Sequence, residues 1–498
     1  MNVNPITRLD YPDPDVIRVE DTYYMVSTTM HFMPGCEILQ SFDLVHWEHV
    51  TYVYETLDHT DAQQLKSGQN IYGQGMWAAS LRYHEGRFYI CFVANDTRKT
   101  YLYTSEKIDG PWKKQLIEGF YHDGSLLFDE DGRNYIVYGN DEIWITELNE
   151  DLTAPKKDGL HRLLVSDHKN PELGYEGSHI QKINGYYYIF LVHSLRDRWM
   201  RTEACFYSDS LEGEFTGGDV LCDDRGYCGQ GVAQGGIVDT PDGKWYAMLF
   251  QDSGAVGRIP ILLLVTWKDH FPVFGQNGHV PEEIEVHSTR PGYIYQPLVG
   301  SDDFCNGLLP RWQFNHDPDP RYYHLDALQG TYTITTREVC TELTQAVNTL
   351  TQRMSYPSCA AEVTVDASAL KEGDVAGLCA LQGCYAAVGI TKHHGKYEVL
   401  MLDKKEDGIL DMTEGTVVES HQMDFRLEAD FCNMKDEARC YYRVNKGDWL
   451  PIGTVHKLYF KLDHFTGCRF GLFCYAAEET GGSACFRDFK YYDVDEIS

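Results

Sequence analysis

Positive charge is scarce in this chain relative to negative. Lys and Arg number 43 against 75 Asp and Glu, a formal net charge of −32 over 498 residues. A surface so acidic repels phosphate backbones and anionic headgroups, so nucleic acid and membranes are not expected partners and neutral ligands are favoured. No segment approaches the ~20 consecutive apolar residues that cross a bilayer. Residues 1–5, Met-Asn-Val-Asn-Pro, lack the basic start and apolar run of a secretory signal. The 15 cysteines show neither CxxC pairs nor zinc-like spacing, which points to free thiols in a reducing cytoplasm. GxSxG and P-loop motifs are missing, against serine hydrolases and P-loop nucleotide enzymes. Helical periodicity is scarce too. Short alternating runs of Tyr, Phe, Trp, Val, Ile and Thr, broken by Gly, Asp and Asn, predict an all-β protein.

What is present is repetition. Five segments share a short polar lead, an apolar strand, a turn and a strand opening on aromatic residues. They begin at Asp13, Trp77, Asp123, Glu176 and Gln234, and their turns fall at Asp21, Gly86, Gly132, Gly185 and Gly243. Four of the leading residues lie nine positions before their turn, and Asp13 lies eight before. Glu85-Gly86, Asp131-Gly132, Asn184-Gly185 and Asp242-Gly243 suit hairpins, because such pairs tolerate positive φ. The spacing between repeats leaves room for further strands, and radial repetition of four-stranded units makes a propeller, here with five blades.

In a propeller the innermost strands line one central channel, so matched positions converge at one mouth. Asp13, Asp123 and Glu176 are therefore expected in a single pocket. Singly, each has an ordinary explanation as a turn residue; in register they leave two readings. One is a hard-ligand metal site. The other is glycoside hydrolysis, in which one carboxyl donates a proton while another activates water or attacks. Trp77 at the matched position of the second blade, and Phe32 just after the first hairpin, add aromatic faces suited to a sugar ring, against the alternative of core packing.

Tyr-Pro-Asp-Pro-Asp at 11–15, Ser-Thr-Thr-Met-His-Phe-Met-Pro-Gly at 27–35, Gly-Met-Trp-Ala-Ala at 75–79, His-Asp-Gly-Ser-Leu-Leu-Phe at 122–128 and Glu-Gly-Ser-His-Ile at 176–180 occur in an order that resembles glycoside hydrolase family 43. Ser-Phe-Asp-Leu-Val-His-Trp at 41–47 and the run from Gln234 to Tyr246 extend the similarity. The resemblance implies a five-bladed propeller at 1–300 acting on α-L-arabinofuranosides or β-D-xylosides with inversion. Asp13 would be the general base, Asp123 the residue that positions the acid and raises its pKa, and Glu176 the general acid. Arg258 matches an arginine that reaches substrate hydroxyls. Glu176 is then expected to be raised to ~6–7 by burial and by Asp123. The Thr-Met-His-Phe-Met-Pro-Gly segment at 29–35 is more similar to the arabinofuranosidase branch.

The chemistry needs no cofactor and no metal. Many members carry a histidine in the fifth blade beside a hydrated cation, but Gln234 and Ser253 stand here, so a central Ca²⁺ lacks its matching histidine. From 301 to 498 the repeat gives way to short alternating strands, among them 361–365, 397–401 and 458–462, which predict a β-sandwich. The region resembles the jelly-roll, concanavalin-like domain of family xylosidases, and Phe465 is the candidate with which its loop closes the pocket. Expected partners are neutral pentose-containing oligosaccharides, with a homo-oligomer left open. The competing readings are a sugar-binding propeller without catalysis and a five-bladed fructan-type hydrolase; the Asn-Asp-Pro and Arg-Asp-Pro signatures of the latter are missing.

Overall fold

The computed structural model describes residues 2–493, so the last five positions of the expected second domain lie outside the described residues. Among those described there is no α-helix, only strands and four short 3₁₀ turns. Five antiparallel four-stranded sheets follow one another along the first half of the chain. Their innermost strands are Asp15–Val19, Met76–His84, Ser125–Phe128, Glu176–Ile183 and Gly236–Asp239. These are the blades of a five-bladed propeller, in the order of the five sequence repeats.

The turns divide into two kinds. Glu85-Gly86 and Asn184-Gly185 join their strands directly, with both residues at positive φ, the backbone that matches strand twist. The connections holding Gly132 and Gly243 are five residues long, and only the glycine of each expected pair has positive φ.

The channel floor is filled by one arginine. Arg82, from the second blade, donates from Nη1 to Asp15 Oδ2 of the first (2.8 Å). From Nε it donates to the Leu126 carbonyl of the third (2.8 Å), and from Nη2 to Ser125 Oγ (2.7 Å) and the Ile180 carbonyl of the fourth (3.2 Å). His179 Nδ1 meets the other Asp15 oxygen at 3.1 Å. A buried charge pair is tolerable when its remaining donors and acceptors are satisfied, and this one ties four blades beneath the site. The ring is closed by Arg18 against Asp239 and by Asn2–Val3 pairing with Glu283–Ile284.

The second half forms a sandwich. One sheet contains Leu350–Arg353, Arg469–Tyr475, Val375–Leu381, Tyr385–His393 and Lys396–Lys404; the other contains Thr331–Thr335, Ser483–Asp493, Ser358–Asp366, Gln422–Asp430 and Glu437–Val444. The strands expected at 361–365 and 397–401 lie within Ser358–Asp366 and Lys396–Lys404. The one expected at 458–462 does not form: the chain leaves the sheet after Lys457. Leu458 stays buried in the core, but Leu462 is half exposed, and the segment turns toward the propeller.

The two halves share a core. Ala255, Val256 and Ile259 of the propeller pack in the cluster that contains Trp312, Phe470 and Phe486 of the sandwich. Polar links cross beside them. Asp10 accepts from the Gly467 and Arg258 backbone N–H groups (both 2.7 Å), and Arg353 Nη1 pairs with Glu37 at 2.8 Å. Asp10 thus holds the sandwich loop 462–467 and the strand carrying Arg258 in one register.

Candidate active site

The leading residues of the repeats do meet. Asp13, Trp77, Asp123, Glu176 and Gln234 line one cavity of about 180 Å³, together with His122, Leu173, Trp199, Arg201 and Arg258 of the propeller and Leu462 and Phe465 of the sandwich. Sites for drug-sized ligands run to ~300–1,000 Å³, so this one suits a single sugar ring.

The backbone presents these residues under constraint. Asp13 and Asp123 have φ of 52° and 48°, left-handed values that Asp tolerates better than most residues. The strands bearing Trp77 and Glu176 are bulged next to them, between Trp77 and Ser80 and between Glu176 and His179. Bulges re-aim side chains at sheet ends.

Gly177 carries this geometry in the fourth blade. Its φ is +68°, its N–H donates to Asp123 Oδ2 at 2.9 Å, and a Cβ there would stand 2.3 Å from Cδ of Gln234. Gly177→Ala is expected to cost about 1–3 kcal/mol from backbone strain alone, and to shift Glu176 and Asp123 apart. A lower melting temperature together with a loss in kcat is the expected result. An unchanged kcat would show that the site does not depend on this turn.

Each Asp13 oxygen accepts one side-chain hydrogen bond. Thr28 Oγ1 donates to its Oδ2 (2.6 Å), and Arg258 Nη1 donates to its Oδ1 (2.7 Å). Arg258 also donates from Nε to Asp252 Oδ1 (3.1 Å), and its guanidinium carbon stands 3.8 Å above the Phe465 ring. Phe465 in turn meets Trp77 edge-on, with ring centroids 5.1 Å apart. The sandwich loop is therefore a wall of the cavity, and Phe465 is the side chain that closes it.

Asp123 and Glu176 form a cluster with His122, whose Nε2 lies 3.6 Å from Asp123 Oδ2 and 3.5 Å from Glu176 Oε2. Burial and then the neighbouring Glu176 push the Asp123 carboxyl up to about 6, against the pull of His122. Burial would raise Glu176 as well, but the His122 imidazolium, with Arg201 and Arg258 behind it, holds it below its ordinary value. Burial works against the charged form of His122, yet the two carboxylates bring it up to about 9. The expectation that Glu176 carries the raised pKa is thus corrected: Asp123 carries it. A nearby cation favours the ionised form of a carboxylate, and Glu176 feels Arg201 and Arg258 as well as His122.

His122→Asn follows from this. Removing the imidazolium raises the Glu176 pKa, so if Glu176 must be protonated to act, the alkaline limb of the kcat/KM profile moves to higher pH. An alkaline limb that stays in place, or moves down, would separate it from Glu176.

Of the residues expected at the site, Phe32 is the one the structure does not bring there. It is 2% exposed, lies beneath the Arg469 guanidinium at 3.4 Å and stacks at a tilt on His31. Its expected role as a sugar-stacking face is replaced by packing of the domain interface. His122, Leu173, Trp199, Arg201 and Leu462 were not singled out by sequence reasoning, which followed matched positions at the strand starts. His122 adjoins such a position, but the others come from loops or later strands. His122, Asp123 and Glu176 also have donor atoms within 4.8 Å of one another, a spacing compatible with a cation. Acid–base hydrolysis does not require one.

Carboxylates from three blades, a closed end and aromatic walls suit hydrolysis of a glycosidic bond at a terminal sugar. Residues 3–272 match Glycosyl hydrolases family 43, and residues 301–492 match the Beta xylosidase C-terminal Concanavalin A-like domain. The chain belongs to glycoside hydrolase family 43. Among its relatives, a beta-xylosidase of Formosa agariphila is 26% identical over 99% of this chain and 89% of its own length. A xylosidase/arabinosidase of Butyrivibrio fibrisolvens is 24% identical over 99% of both chains. Among solved structures, a protein described as bifunctional GH43-CE from Bacteroides eggerthii superposes with a TM-score of 0.91 at 42% identity. It matches 99% of this chain, which spans 63% of that longer one. A family member engineered for endo-xylanase and exo-arabinofuranosidase activity superposes at 0.87 with 27% identity, covering 99% of each chain.

Proposed function

We propose that this enzyme releases single terminal or side-chain pentoses, α-L-arabinofuranose first and β-D-xylose second, from xylan- or arabinan-derived oligosaccharides by inversion. The observation that carries the reading is the meeting of Asp13, Asp123 and Glu176 in a cavity of about 180 Å³ walled by Trp77 and Phe465. A cavity that holds one ring and is closed on one side by the sandwich loop accepts a chain end or side chain and excludes the middle of a polymer. Glu176 protonates the glycosidic oxygen as its bond to C1 breaks. A water attacks C1 from the opposite face and gives its proton to Asp13. Both Asp13 oxygens already accept one hydrogen bond, and each keeps a second lone pair for that proton. Asn140 Nδ2 donates to Glu176 Oε2 (2.8 Å) and His122 lies on the same oxygen, which leaves Oε1 to carry the transferred proton.

Arabinofuranose stands first because of the 29–35 segment. Dual action is supported by the relative named xylosidase/arabinosidase. The fifteen cysteines, all free thiols, support work in a reducing compartment, the cytoplasm. Comparing kcat/KM on 4-nitrophenyl α-L-arabinofuranoside and β-D-xyloside ranks the two sugars, and proton NMR of the first product reads its anomer. Release of neither pentose overturns the function, and a first product of retained configuration overturns the mechanism.

A further inference from the structure

A second arginine stands in the cavity wall with a donor to spare. Arg201 opens the strand Arg201–Ser208 of the fourth blade and is 2% exposed. Its Nε donates to Asp252 Oδ2 at 3.1 Å, while the other oxygen of the same carboxylate receives Arg258 Nε at 3.1 Å. One buried carboxylate thus holds two guanidinium groups side by side and offsets their mutual repulsion. Both pack against Phe250, Arg201 at 5.3 Å and Arg258 at 4.6 Å from the ring centroid, and Arg201 also lies 5.3 Å from the centroid of Trp199.

The two arginines differ in what remains free. Arg258 commits Nη1 to Asp13. Arg201 Nη1 is buried and has no hydrogen-bond partner. An unsatisfied charged donor is costly inside a protein and calls for an explanation in a native structure. Arg201 is itself part of the cavity lining, so its guanidinium stands beside the space that a sugar ring would fill.

Resting on the proposed function, the geometry points to Arg201 as a substrate-binding, specificity-determining residue, whose guanidinium donates to one hydroxyl of the bound pentose. Asp252 acts through both arginines as a positioning residue. A site built to hydrogen-bond a hydroxyl discriminates strongly against the analogue that lacks it, because the protein group is then left unpaired.

The test is a cycle between protein and substrate. Wild type and Arg201→Gln are assayed on 4-nitrophenyl α-L-arabinofuranoside and on its 2-, 3- and 5-deoxy analogues, with thermal melts run in parallel. In the wild type, removing the contacted hydroxyl is expected to lower kcat/KM by roughly 10–10²-fold, the scale of one hydrogen bond to a charged group. In Arg201→Gln that particular deletion should cost almost nothing further, while the other deletions cost what they cost the wild type. If Arg201→Gln fails to fold, Arg201→Lys, which keeps a cation against Asp252, serves instead. Equal losses for every analogue in both proteins would assign Arg201 a purely structural role and overturn the inference while leaving the function intact. A wild type inactive on every pentoside would overturn the functional reading and this inference together.

Discussion

Glu176→Ala is expected to lower kcat/KM on arabino- or xylo-oligosaccharides by roughly 10²–10⁴-fold, the contribution of one general acid. On a 4-nitrophenyl glycoside the loss should be far smaller. A sugar alkoxide cannot depart without a proton, whereas nitrophenolate is stable enough to leave unassisted. The dependence on leaving group is the diagnostic, because a merely misfolded variant loses both activities in proportion. Glu176 is placed for the role: it opens a bulged strand, and Asn140 and His122 fix one of its oxygens. Equal losses on good and poor leaving groups would remove Glu176 from the acid role.

Asp13→Ala should fail in the complementary way. Water must be activated whatever the leaving group, so a drop of roughly 10²–10⁴-fold is expected on both substrate types. A small anion such as azide, entering the space vacated by the side chain, should restore turnover and yield a glycosyl azide of inverted configuration. Because Arg258 Nη1 loses its partner in this variant, some loss of stability accompanies the change. The azide product separates that effect from lost chemistry, since restoring a nucleophile does nothing for a loosened fold. A loss confined to poor leaving groups would exchange the roles of Asp13 and Glu176.

Much of the site was legible because propeller geometry turns sequence register into spatial convergence. Once five repeats are aligned, the residues that begin them must gather at one mouth, and Asp13, Trp77, Asp123, Glu176 and Gln234 do so. Phe32 misled because its neighbourhood in sequence is the first blade. Its side chain turns instead into the layer where His31 and Arg469 join the two domains. His122 gains its role only in three dimensions, since nothing in a linear spacing says that an imidazole will sit between two carboxylates. Its charge, with those of Arg201 and Arg258, holds Glu176 down while burial raises Asp123, which reverses the expected order of the two.

The sequence by itself determined the strand pattern, the five repeats, the sandwich that follows them and the three acids that would meet, because each depends on local turn chemistry and period-two alternation. Tertiary structure alone decided which groups surround those acids. Asp252 joining Arg201 of the fourth blade to the fifth, Asp10 joining loop 462–467 to the strand of Arg258, and Phe465 closing the cavity all bring together segments distant in the chain. Burial and through-space charge act over a few ångströms whatever the separation in sequence, so the protonation of the site is fixed only once the blades and the sandwich have packed.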